Sequence, residues 1–373
     1  MDYRAAVVTQ RGKVEVQRFE KPATHDRDMT AKVLMAGVCG TDVHLVNAQK
    51  PFPWAEQQYP FRLGHEWVGK IDQMGRLFPR KDAFGVPVSE GDRIVCYPST
   101  WACGKCYACK ILLQPNLCMR EPFERNLPDM GSAFADYFYI PEGSALYRVP
   151  DCVSTKAAML VEPMSAALRA FERAFTPGIP ERFQGMGPGK SVTIMGSGTI
   201  GALLVIYAKL SGAYPIIVVG GPEKRLEMCK RLGADVVINI DNTAREERIE
   251  QVLSHTPLQL GTDVVIEAAG APSAFIDGIR VARMGGTLVE VGHYTDRGEI
   301  PINPLEVCKK DIMIFGSWGY GPAEFGTAIR ILEGYGKTVG FEQLVTHEFG
   351  LEDVQSAVEI ARMQDCMKAA IVL

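Results

Sequence analysis

Residues 1 to about 160 carry short runs of alternating apolar and polar residues, punctuated by Gly and Pro, with no sustained helical period. Tyr3 to Thr9 and Val14 to Phe19 read as two strands turning at Arg11-Gly12, and Thr30 to Ala36 reads as a third that runs into Cys39. This part is expected to be β-rich. From about Ser165 the pattern changes to short apolar runs taking turns with amphipathic stretches. Ser191 to Met195, Pro215 to Val219, Val236 to Ile238 and Asp263 to Glu267 are predicted strands, and Ile200 to Leu210 and Glu223 to Leu232 are predicted helices. Such turn-taking predicts a parallel sheet with helices on both faces, which Thr287 to Val291 and Ile312 to Phe315 can complete. Beyond Gly316 the pattern predicts helices at Glu324 to Leu332 and Asp353 to Met363, then the apolar strand Ala369 to Leu373. The polar excursion 76–90 reads as a surface loop without chemistry.

Length and composition narrow the picture. A chain of 373 residues exceeds what one hydrophobic core usually supports, so two domains are expected. A net charge of −4 supplies no basic surplus for a nucleic-acid partner. Met1-Asp2-Tyr3-Arg4 opens without the apolar core of a secretory signal, and no uncharged apolar run is long enough for a bilayer. A cytoplasmic protein without a membrane partner is therefore expected. In that reducing setting, clustering among the ten cysteines points to metal rather than to disulfides.

Three stretches carry chemistry. Cys39-Gly40-Thr41-Asp42-Val43-His44, answered by Gly64-His65-Glu66, gathers a thiol, two imidazoles and two carboxylates, the ligand types of a borderline-soft divalent ion. Taken singly, Cys39 reads equally as a small buried hydrophobe and His65 as a satisfied core histidine. Cys103, Cys106 and Cys109 are spaced three apart and Cys118 follows nine residues later, a run able to surround one tetrahedral zinc. A closed four-sulfur site has no open position, so loop 103–118 is read as a structural zinc site. Cys96, Cys152, Cys229, Cys308 and Cys366 lack such spacing and read as packing residues.

The third stretch, Gly196-Ser197-Gly198-Thr199-Ile200-Gly201, is a G-x-G-x-x-G between a predicted strand and a predicted helix, the context of a dinucleotide site. Helix N–H groups and the dipole would hold the pyrophosphate. At the end of the next strand, where an acid would grip the ribose hydroxyls of NAD, stands Gly220, followed by Glu223, Lys224 and Arg225. The missing carboxylate removes a repulsion against a 2′-phosphate, whereas Glu223 is itself acidic. NAD or NADP stays open. Gly292, with His293, ends a later strand of the same sheet; His25, His255, His293 and His347 have no local ligand partner in the sequence.

Together with Gly69, Gly75, Gly91-Asp92-Arg93, Glu162-Pro163, Leu232-Gly233-Ala234-Asp235 and Thr346-His347, these stretches resemble the zinc-containing medium-chain alcohol and polyol dehydrogenases over essentially the full chain. Glu66 paired with Glu162-Pro163 resembles the sorbitol-dehydrogenase-like branch. The resemblance implies an α/β protein with a GroES-like β-rich catalytic domain, residues 1–164 and 317–373, and a Rossmann doubly wound parallel-sheet domain, residues 165–316. It departs from the family at Cys118, one residue late, at the long 76–90 excursion and at Gly220.

What the resemblance implies chemically is hydride transfer between a secondary alcohol (polyol, cyclitol or sugar-like), or the matching ketone, and NAD or NADP. About two zinc ions per chain are implied: a catalytic one held by Cys39 and His65 with Glu66 and Glu162 sharing the remaining positions, and the structural one. Thr41 and His44 would relay the proton, and Asp42 would orient His65. Phe52, Trp54, Trp101 and Trp318 are candidates for the substrate wall, and relatives imply a homodimer or homotetramer. Two other readings use the same fold: a zinc-independent NADPH reductase, and a non-catalytic nucleotide-sensing protein.

Overall fold

The computed structural model describes residues 2–21, 23–47, 59–97, 102–119, 132–175 and 185–373. It divides into two compact units, Met1–Ser165 with Gly319–Leu373, and Ala166–Trp318.

In the first unit, strands Asp2–Gln10 and Lys13–Glu20 form the expected antiparallel pair, and the short strand Phe61–Arg62 joins them in a small sheet. The larger sheet runs in the order Val345–Gly350, Lys368–Val372, Met29–Gly37, Glu66–Met74, Arg93–Tyr97, Ala145–Arg148, with Tyr137–Ile140 also pairing with Met29–Gly37. The C-terminal strand thus lies beside a strand from the first tenth of the chain. Met29, Ala31, Val33 and Ala36 are fully buried, and Trp67 stacks on Phe138 with ring centroids 4.4 Å apart. That apolar burial is what holds sequence-distant strands together.

Helix Thr155–Met159 stands where the pattern shows no helical period, and helix Val161–Ala174 follows it across the point where the pattern changes. The Ser154 side chain caps the first by accepting from Ala157 N–H, and Pro163 is tolerated in the first turn of the second, where no intrahelical donor is lost. The 76–90 excursion is ordered around buried Asp82. Its carboxylate accepts from the backbone N–H of Phe84 and Val86 at 2.9 Å each and from Arg148 N–H at 3.1 Å.

The second unit holds a parallel sheet of six strands in the order Val236–Asn239, Ile216–Gly220, Val192–Met195, Thr262–Glu267, Ala282–Glu290, Met313–Gly316. The chain starts in the middle of this sheet, works to one edge and then returns to build the other, which creates a switch point beside Val192–Met195. Strands Val192–Met195 and Ile216–Gly220 are buried throughout because helices cover both faces, which is why they read as continuous apolar runs. Helices Arg245–Ser254, Pro272–Val281 and Pro304–Lys310 are not legible in the pattern; the first is dominated by charged residues. Strand Ala282–Glu290 begins five residues before the expected Thr287, its register shifting where Gly285 and Gly286 interrupt the side-chain pattern. None of the described helices is long and apolar enough to cross a membrane.

Candidate active site

Cys39 sits at the end of strand Met29–Gly37, with extended φ −92° and ψ 157°, and heads the helix Gly40–Val46. Asp42, in the first turn, returns to accept the Cys39 N–H at 2.9 Å. This Asp is 1% exposed and also accepts from Gly64 N–H at 3.3 Å, so one carboxylate ties the helix start to the segment before His65. The His65 ring lies beside it, with Nδ1 3.6 Å from Asp42 Oδ1, an electrostatic contact longer than a hydrogen bond. Thr41 places its hydroxyl 3.7 Å from the Cys39 sulfur, and His44 occupies the last turn of the same helix.

Glu66 opens the strand next to Gly37, and the two residues pair in register. One ligand atom each from Cys39, His65 and Glu66 lie within 4.8 Å of one another. Glu162, in the first turn of its helix, approaches from the other side, its Oε1 3.9 Å from His65 Nε2. Burial opposes a positive charge on His65, yet Asp42, Cys39 and Glu162 outweigh it and raise the imidazole well above its ordinary pKa. Burial, with Glu66 nearby, pushes the Glu162 carboxyl up to about 7 despite the pull of His65, Tyr320 and Lys368. A thiol, an imidazole and carboxylates that together demand positive charge fit a zinc ion.

Three contributors were not anticipated. Lys368 heads the C-terminal strand and donates to both Glu66 oxygens at 2.7 Å and to Val38 O at 3.1 Å. A lone Lys at the head of an apolar strand was the available signal. The Tyr320 hydroxyl donates to Glu162 Oε1, which nothing in the sequence foretold. Gly37 makes room: a Cβ there would stand 2.2 Å from Glu66 Oε2 and 2.6 Å from Met159 Sδ.

The four cysteines of loop 103–118 face one another. Sulfur separations are 3.5 Å for Cys106–Cys109, 3.9 Å for Cys106–Cys118 and 4.0 Å for Cys103–Cys109. A tetrahedron of about 2.3 Å Zn–S bonds has edges of about 3.8 Å, so the donor set fits one zinc. Gly104, at φ +68°, makes the turn between the first two. Backbone N–H groups of Met119 and Cys109 lower the Cys106 thiol to about 6. Of the cysteines read as packing residues, Cys96, Cys229 and Cys366 are buried, but Cys152 and Cys308 are exposed.

In the second unit, each glycine of the loop has a separate reason. Gly196 adopts φ +115° and lies against the end of strand Thr262–Glu267, where a Cβ would be 2.8 Å from Ala268 backbone atoms. A Cβ at Gly201 would reach the Gly196 carbonyl at 2.0 Å, so the helix Thr199–Leu210, with Thr199 and Ile200 in its first turn, could not pack on the strand. Gly198, the N-cap, faces open space up to Arg225 Nη1 at 4.0 Å. Ser197 Oγ donates to Gly221 O at 2.9 Å and accepts from Gly221 N–H at 3.0 Å. Gly220 is crowded by the same serine: its Cβ would stand 2.5 Å from Ser197 Oγ. Lys224 and Arg225 follow in helix Glu223–Leu232.

Phe52, Trp54 and Trp101 lie outside the described residues. Trp318 stacks on Tyr294 at 4.5 Å. His25 and His255 are exposed, and His347 is within 3.0 Å of the Thr346 hydroxyl. His293 does have partners: Glu290, only three residues before it, corrects the reading that no local partner exists, and Glu267, from a different strand, was hidden from sequence spacing.

A model of zinc-binding dehydrogenases matches residues 199–334, and a model of the alcohol dehydrogenase GroES-like domain matches residues 25–151. The chain is 30% identical over 370 residues to sorbitol dehydrogenase of Bacillus subtilis, covering 99% of this chain and 96% of that one. It is 29% identical over 370 residues to 5-exo-hydroxycamphor dehydrogenase of Pseudomonas putida, covering 99% and 98%. The crystal structure of an alcohol dehydrogenase from Thermotoga maritima superimposes with a TM-score of 0.86 at 25% identity, covering 100% and 99%. The β-rich unit is GroES-like, the parallel-sheet unit is Rossmann-like, and the chain belongs to the zinc-containing medium-chain alcohol and polyol dehydrogenases, in their sorbitol-dehydrogenase-like branch.

Proposed function

We propose that this NAD(P)-dependent dehydrogenase oxidises a secondary alcohol of polyol, cyclitol or sugar-like type to the ketone, and reduces the ketone in reverse. The observation that carries the reading is the convergence of Cys39, His65 and Glu66 within 4.8 Å, with Glu162 at 3.9 Å from the His65 ring. In this reading Cys39 and His65 hold a catalytic zinc with one of the two glutamates, and Cys103, Cys106, Cys109 and Cys118 hold a structural one. Zinc held there supplies Lewis acidity, which lowers the pKa of a hydroxyl brought beside it.

The protein's own groups do the rest. Gly196, Gly198 and Gly201, with the N–H groups of Thr199 and Ile200, bind the pyrophosphate, while Gly220, Lys224 and Arg225 border the adenosine ribose and Gly292 the nicotinamide half. A bound nicotinamide would supply the hydride acceptor, so the protein's own groups have to carry the hydroxyl proton away separately. The Thr41 hydroxyl both accepts and donates, so it takes that proton and hands it on toward His44 and solvent. Asp42 keeps the His65 ring oriented. Residues 1–164 and 317–373 serve as the catalytic domain and 165–316 as the dinucleotide-binding domain of a cytoplasmic homodimer or homotetramer.

The test is a panel of polyols, inositols, sugars and simple and bicyclic secondary alcohols, assayed by absorbance of reduced cofactor with NAD and NADP in parallel. Zinc analysis accompanies it. About two zinc ions per chain and turnover on a hydroxyl-rich secondary alcohol are expected. One zinc, or turnover unaffected by Cys39→Ser, would overturn the catalytic-zinc assignment.

A further inference from the structure

Two neighbouring strands of the parallel sheet bring a third donor cluster together, distinct from the two cysteine sites. Glu267 ends strand Thr262–Glu267, Glu290 ends strand Ala282–Glu290, and the two pair in register. His293 follows three residues on. One carboxylate oxygen from each Glu and a ring nitrogen of His293 lie within 4.8 Å of one another.

Glu267 is wholly buried, at 0% exposure. Its Oε1 accepts the N–H groups of Ala269 and Gly270, each at 2.9 Å. Its Oε2 accepts from no N–H or hydroxyl group and lies 3.6 Å from His293 Nδ1, and the Glu267 and Glu290 carboxyl groups are within hydrogen-bond reach of each other. Glu290 repeats the pattern: Oε1 accepts the His293 N–H at 3.0 Å and stands 3.0 Å from Nδ1, while Oε2 accepts from no N–H or hydroxyl group. Among the described residues, His293 is the only basic side chain paired with either carboxylate.

Gly292 makes room for the Glu267 carboxylate, since a Cβ there would meet Glu267 Oε2 at 2.2 Å and Gly270 N at 2.3 Å. That Oε2 faces the cluster, with His293 Nδ1 at 3.6 Å. Facing carboxylates at this burial need positive charge between them, either a shared proton or a cation. Two carboxylates and an imidazole are a donor set for a first-row divalent ion such as Mn²⁺ or Zn²⁺, with ligand atoms about 3 Å apart around it. Glu290 and His293 side chains are 20% and 24% exposed, which leaves a way in for the ion and room for water in its remaining positions.

We propose that Glu267, Glu290 and His293 bind a divalent cation that joins segment 268–270 to segment 291–293 at the carboxyl end of the sheet. The site adjoins Gly292, which the reading above sets beside the nicotinamide half, but metal content can be read without turnover, so its failure and the failure of that reading are distinguishable. The test equilibrates full-length wild type, Glu290→Gln and His293→Gln with Mn²⁺, removes unbound ion, and measures total manganese and zinc per chain by mass spectrometry. Wild type should retain about one equivalent more than either variant, and its unfolding temperature, but not theirs, should rise on adding Mn²⁺. Because the readout is a difference, it does not depend on how full the cysteine sites are. Both variants change the partly exposed side of the cluster, and far-UV circular dichroism confirms their fold. Equal metal content in folded wild type and variants would overturn the proposal in favour of a proton shared by the two carboxylates.

Discussion

Lys368 donates to both carboxylate oxygens of Glu66 at 2.7 Å, across 302 residues of chain, with the side chains 4% and 1% exposed. Burial works against the Lys368 ammonium, but Glu66 and Cys39 outweigh it and raise its pKa. Removing one partner of such a pair leaves an uncompensated buried charge. Lys368→Met should therefore destabilise the β-rich unit by about 3–5 kcal/mol, measured by urea unfolding. Lys368→Met combined with Glu66→Gln should recover most of that loss, because no lone charge remains; a double variant no better than the single one would show that the pair contributes little.

Gly37 is the residue that makes this pair possible. A methyl group at 2.2 Å from Glu66 Oε2 cannot be accommodated without moving the carboxylate or Met159, which is itself fully buried. Gly37→Ala should cost about 1–3 kcal/mol through overpacking and lower kcat with it. Gly334, in helix Pro322–Val339, is exposed, and a methyl group added there would have nothing within 4 Å. There Gly334→Ala should instead stabilise by about 0.5–1 kcal/mol and leave kcat unchanged.

The four-cysteine lobe gives a prediction on metal removal. Cys106→Ser should lose about one zinc per chain and lower the unfolding temperature. The zinc proposed for Cys39 and His65 should remain and sustain measurable turnover in the fraction that stays folded. A chelator should act on wild type in two steps, with loss of activity and loss of stability separable in time. Simultaneous loss of both in Cys106→Ser would show that the lobe does more than brace its own loop.

How much of this was legible differs by kind of signal. The glycine loop and the cysteine run are local, so spacing alone pointed to them, and the parallel sheet, though not its strand order, follows from strand and helix taking turns. Crossover helix Arg245–Ser254 escaped because seven of its ten residues are polar, and its buried apolar contacts come from Ile249 and Val252. The partners of the site residues escaped for another reason. Lys368 meets Glu66, Tyr320 meets Glu162 and Glu267 meets His293 only through strand order and helix placement, which no local period encodes. Gly37 has the same origin, since its missing side chain matters only once Glu66 is known to lie opposite.

Asp263 braces the opposite end of the parallel sheet and gives the pH prediction. It accepts the N–H and hydroxyl of Ser191 at 2.9 and 2.8 Å and Arg283 Nε at 2.8 Å. Burial alone would raise its carboxyl, but these donors prevail and hold it below the ordinary value of 3.8. A depressed carboxyl contributes stability that is present above the unfolded-state pKa and is lost as pH falls through the folded one. The stability difference between wild type and Asp263→Asn should thus be full at neutral pH and shrink as pH drops below 3.8. Thermal unfolding of both proteins across that range measures it, and a difference independent of pH would remove the charge from the explanation.

Gly220 bears on cofactor choice through Ser197. Installing an acid at 220 is the obvious way to favour NAD, because a carboxylate there would grip the ribose hydroxyls and repel a 2′-phosphate. The structure predicts that the change fails on its own. Any Cβ at 220 would stand 2.5 Å from Ser197 Oγ and 2.9 Å from the Ser197 nitrogen, and Ser197 Oγ is already engaged with Gly221 on both its donor and its acceptor side. Gly220→Asp should therefore weaken NAD and NADP together, by displacing the loop that carries Gly196 and Gly198. Gly220→Asp with Ser197→Gly removes the hydroxyl and its β-carbon, leaving the 2.9 Å approach to the backbone nitrogen, which a few tenths of an ångström of loop movement relieves. Fluorescence titration of the double variant should then show NAD binding recovered and NADP binding still weak. Recovery of both nucleotides alike would mean that position 220 does not face the ribose, and Arg225, 4.0 Å from a Cβ at Gly198, would become the residue to vary.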